Sequence, residues 1–66
     1  MMKKKDIQAM LDNHLKIETE ITQNMRAVAR NHNIDYEVKQ MKLDSLASKE
    51  ELNEYAIFLL KRILES

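Results

Sequence analysis

His14 and Glu18 stand one helical turn apart, and a turn-spaced imidazole and carboxylate is the smallest unit from which a metal site can be assembled. A working site needs three or four ligands. Neither His-Glu-x-x-His nor Glu-x-x-His occurs, so no metal and no cofactor is expected. The pair better suits the edge of an apolar stripe, where a polar residue can set the register of a helical bundle. Ser45, Ser48 and Ser66 have no histidine close in sequence, and the chain has no glycine from which to build an oxyanion loop or a phosphate cradle. Catalysis and a small-molecule substrate are therefore not expected. Arg26 and Arg30, one turn apart, with Lys39 and Lys42 further on, form a cationic grouping that phosphates could contact. By the helix-turn-helix plan the segment entering a groove would carry Glu50, Glu51 and Glu54, which disfavours that use.

Helices must position all of these groups. The 66 residues include neither glycine nor proline, where average usage would supply about eight of the two together. Breaks must rest on asparagine, aspartate and serine, which cap helices through side-chain hydrogen bonds. Asp6 is expected to cap a first helix over residues 6–32, along which Ile7, Met10, Leu11, His14, Ile17, Ile21, Met25 and Val28 recur at spacings of three and four. Asn31-His32-Asn33 supplies the break, because asparagine tolerates the left-handed conformation that ends helices. A second helix is predicted over residues 35–46. Ser48-Lys49-Glu50-Glu51 reads as a capping box that starts a third, over residues 49–65. On this last helix Leu52, Tyr55, Ala56, Leu59, Leu60, Ile63 and Leu64 make a broad core face, with Ile57 and Phe58 turned partly away. Asp12 with Lys16, and Asp35 with Lys39, are spaced as favourable ion pairs.

The predicted fold is one all-α domain spanning residues 1–66. It is a helical hairpin with an interrupted second arm, three helices in all, and residues 1–5 are a basic tail. A domain this small buries only about 60% of its unfolded surface, and with no cysteine it has no disulfide to compensate. Eleven basic and eleven acidic residues cancel, which removes any long-range attraction to nucleic acid or membrane and favours self-association. The basic start is followed by polar residues rather than an apolar stretch, and the longest apolar run, residues 56–60, is too short to span a membrane. A cytoplasmic setting is expected.

Gln40-Met41-Lys42-Leu43-Asp44-Ser45-Leu46 is similar to the Ser-Gln-Glu-Leu-Asp segment of the small aspartyl phosphatases, helical hairpins that act on a phosphorylated response regulator. Leu43 and Asp44 match. Gln40 stands where that family has serine and Lys42 where it has glutamate, and the spacing back to the turn is shorter, so no family role is carried over. The two-armed pattern also looks like that of small secretion co-chaperones.

The reading that uses most of the chain is a non-enzymatic interaction protein. As a regulator, adaptor or chaperone, it would pair with itself into a dimeric four-helix-type bundle and bind another protein through an apolar helical face. Leu52, Tyr55, Phe58 and Leu59 are the expected interface, with Ile21, Met25 and Val28 opposite. The alternatives are a nucleic-acid-associated regulator using Arg26, Arg30, Lys39 and Lys42, and a phosphatase-like or enzyme-accessory hairpin with Asp44 exposed beside a groove.

Overall fold

A computed structural model of the chain describes residues 3–66 and shows two helices, α1 (Lys4–Arg30) and α2 (Tyr36–Glu65), packed as an antiparallel hairpin around a turn at residues 31–35. The all-helical hairpin is as expected. The break between a second and a third helix is absent, and Ser48 lies inside α2. A serine cap stabilises a helix start by only about 1 kcal/mol. Against it stands a seam of residues 39, 43, 46, 50, 53, 57, 60 and 64, spaced alternately by four and three, which one continuous helix can lay along its neighbour over about seven turns. Apolar burial along that length outweighs the cap.

The helix ends differ in detail from the expected ones. Lys3 occupies the cap position of α1, and the Asp6 carboxylate reaches back to accept its amide hydrogen at 3.3 Å. Asp6 therefore acts from inside the first turn. Lys4 and Lys5 are helical rather than part of a tail, and Met1 and Met2 lie outside the described residues. At the turn, Asn31 takes an extended conformation and its side-chain oxygen accepts the Asn33 amide at 2.9 Å. No described residue has positive φ, so side-chain hydrogen bonding and not a left-handed asparagine ends α1. The Lys39 ammonium donates to the Ala29 carbonyl at 3.1 Å instead of pairing with Asp35, placing a cation at the negative end of the α1 dipole. Asp12 accepts a hydrogen bond from the Gln8 amide at 2.9 Å.

On α1 the matching seam is Ile7, Leu11, His14, Glu18, Ile21, Met25 and Val28, again at alternating spacings of four and three. Leu11, Ile57 and Leu60 form the packed centre, with Ile7 and Leu64 against it. Ile57, expected to turn away, is thus core, whereas Leu52 and Tyr55, expected in it, are 73% and 62% exposed. The seam is narrower than the face read from the apolar residues alone, because two helices meet along a strip and not around an arc. The molecule measures 48 × 16 × 14 Å with a radius of gyration of 15.2 Å, against about 11 Å for a compact chain of this length.

Candidate functional site

A polar layer interrupts the seam. Asn53, only 7% exposed, projects from α2 between His14 and Glu18. Its amide nitrogen donates to the His14 backbone carbonyl at 2.9 Å and to the Glu18 carboxylate at 3.1 Å, which uses both amide hydrogens. The Asn53 side-chain oxygen is then an acceptor only. The His14 Nδ1 lying 2.7 Å from it must carry the proton. Neutral His14 is therefore the Nδ1–H tautomer, with Nε2 as a free lone pair. A buried amide with every bonding group used is compatible with a dry seam, whereas one left unpaired would cost about 1–3 kcal/mol.

Beside this layer three carboxylates converge. Glu18, Glu50 and Glu54 each bring an oxygen to within 4.8 Å of the others, the first two half-buried and the third exposed. The Glu18 charge beside it, followed by desolvation and the charge of Glu50, raises the Glu54 carboxyl above its ordinary pKa. Each could offer one ligand oxygen to a hard cation. Three like charges held this close repel one another and place an electrostatic strain on the hairpin. Sequence reasoning singled out His14 and Glu18 but missed Asn53, Glu50 and Glu54 as their partners. The signal was available in the four-three spacing, which puts Glu50 and Asn53 in line with Leu43, Leu46, Ile57 and Leu60.

The other expected residues separate. Arg26, Arg30 and Lys42 are exposed and Lys39 is half-buried against α1. Arg26 and Lys42 fall on opposite long sides of the hairpin, so the four do not form one patch. Asp44 is exposed and lines neither of two surface grooves between the helices.

Both grooves run along the same long side. One, toward the turn, is lined by Asn24, Ala27, Val28, Lys42, Ser45 and Leu46. The second is lined by His14, Ile17, Ile21, Lys49, Leu52 and Asn53. Of the expected interface, Leu52, Tyr55, Phe58 and Leu59 are exposed, whereas Ile21 is buried and Met25 and Val28 are half-buried in the seam between the arms. Helical geometry puts Leu52 and Leu59 on the groove side, Tyr55 on the back of α2, and Phe58 on the opposite side. There Phe58 packs under the Arg62 guanidinium, 5.7 Å from the ring centre. No helix among the described residues is long and apolar enough to cross a membrane.

No family model matches the chain, and the searches of curated proteins and of solved structures gave no significant match.

Proposed function

We propose that the chain is a small non-enzymatic interaction module, a regulator, adaptor or chaperone, which pairs with itself and engages another protein through the apolar side of its hairpin in the cytoplasm. What carries the reading is the apolar surface that two helices leave uncovered: Leu52 is 73%, Ile63 51% and Leu59 40% exposed, all on the outer half of α2. Large apolar side chains exposed in line along one helix side are a feature of interaction surfaces. Helix-in-groove recognition uses anchors at the spacings shown by Leu52, Leu59 and Ile63. The long open grooves beside them would receive a further helix.

Sedimentation equilibrium of the intact chain tests this. At micromolar concentration the mass should exceed the 7.8 kDa of one copy, and helicity should fall on dilution as the assembly dissociates. A fully helical 7.8 kDa species over the whole range would overturn the self-pairing.

A further inference from the structure

The groove side changes character halfway along. On α2 its outward line runs Lys42, Ser45, Lys49 in the half near the turn, then Leu52, Ala56, Leu59 and Ile63 toward the open end. On α1 the same side is mixed along its length, with Glu20, Asn24 and Ala27 near the turn and Ile17, Asn13 and Met10 toward the open end, so the contrast is carried by α2. We propose that a second copy of this chain covers the apolar half alone, antiparallel, about a two-fold axis near Ala56. The two turn halves then project from opposite ends. This rests on the self-pairing proposed above and goes beyond it in fixing which half pairs.

Surface area favours a second copy, and charge and side-chain size place the overlap. The chain exposes 5435 Å², whereas a compact protein of 7.8 kDa would expose about 4,400 Å². The excess of about 1,000 Å² is close to the roughly 800 Å² per partner that a standard interface buries. Charge selects the overlap. Lys49 sits near the midpoint of α2, so full antiparallel overlap would bring it against its own counterpart. Like charges driven together out of water oppose that arrangement. With the axis at Ala56, its small side chain lies at the closest approach and Leu52 of one copy meets Leu59 of the other. Lys49 then comes near Ile63 at the rim, where its stem can cover apolar surface while its ammonium stays in water. The zero net charge of each copy adds no long-range repulsion.

The chain has no cysteine, so single spin labels can be placed cleanly. Asn33→Cys labels the exposed turn and Tyr55→Cys the exposed back of α2 near the axis. Pulsed electron resonance on each labelled protein should give turn labels about 60 Å or more apart and Tyr55 labels within about 30 Å, from a rise of 1.5 Å per residue. Circular dichroism checks the folding of each, and His32→Cys replaces Asn33→Cys if the turn suffers. A two-copy mass with turn labels at about 45 Å, or below about 25 Å, means full antiparallel or parallel overlap. Either overturns the half-overlap while leaving self-pairing intact. A chain that stays monomeric leaves the face to a different partner and removes both proposals.

Discussion

At the residue scale Asn53 and Glu54 make opposite contributions. Asn53 has all its bonding groups used in a buried place, so removing one side of that network costs more than removing the whole. Asn53→Ala leaves the His14 Nδ1–H without its acceptor and opens a small void, and should destabilise the hairpin by about 1–3 kcal/mol in urea unfolding. Replacing both seam residues, His14→Leu with Asn53→Leu, should recover that loss or exceed wild type, because two leucines bury apolar surface where a polar layer stood. A double variant weaker than Asn53→Ala would show the layer to be a net source of stability. Glu54 is the reverse case. Its pKa is raised in the fold, chiefly by Glu18, so the folded chain holds that proton more tightly than the unfolded one. The associated stability is fully present below the ordinary glutamate pKa and is lost as pH rises through the raised value. Glu54→Gln should therefore melt higher than wild type at neutral pH, with the gap closing toward the ordinary glutamate range. A variant that melts lower at neutral pH would contradict the repulsion.

At the scale of the element, the question is why α2 ignores a good start signal at its centre. Ser48 is exposed and both of its flanks are helical. Ser48→Ala should then raise stability by a few tenths of a kcal/mol through helix propensity alone, measured by thermal melting. A loss near 1 kcal/mol would mean that Ser48 acts as a cap in solution and that α2 breaks there. The helical character, the hairpin and the site of its turn were legible in the sequence, because the absence of glycine and proline leaves Asn31 and Asn33 as the natural place to reverse. The unbroken second arm was not. Its seam runs through Lys39, Glu50 and Asn53, polar steps that interrupt the apolar line, while Leu52 and Tyr55 carry apolar character on the neighbouring face. A period of 3.5 including polar positions recovers it, since burial is decided by where the helices touch. The polar layer was legible only in part for the same reason: His14 was visible on its stripe, but its partner lies 39 residues away across the turn.

At the scale of the whole molecule, a rod 48 Å long with a radius of gyration of 15.2 Å has too little interior to hide its apolar residues, and the two sides of α2 separate the consequences. Leu59 is on the groove side and Phe58 is on the other, one position away. Phe58→Asp and Leu59→Asp introduce the same charge into the same turn with the same helix propensity, so differences between them report where a neighbour lies. Leu59→Asp puts a carboxylate where Leu52 of the second copy should meet it. It should lower the native mass toward 7.8 kDa at concentrations where the wild type is associated, with helicity falling as far as the hairpin depends on its pair. Phe58→Asp removes an exposed stacking contact with Arg62 worth about 0.5–1 kcal/mol. It should lower the melting temperature slightly while leaving the native mass unchanged. If Phe58→Asp dissociates the assembly and Leu59→Asp does not, the contact face lies on the Phe58 side. Equal effects from the two would mean that pairing surrounds α2, as in a larger bundle where no helix keeps an open side.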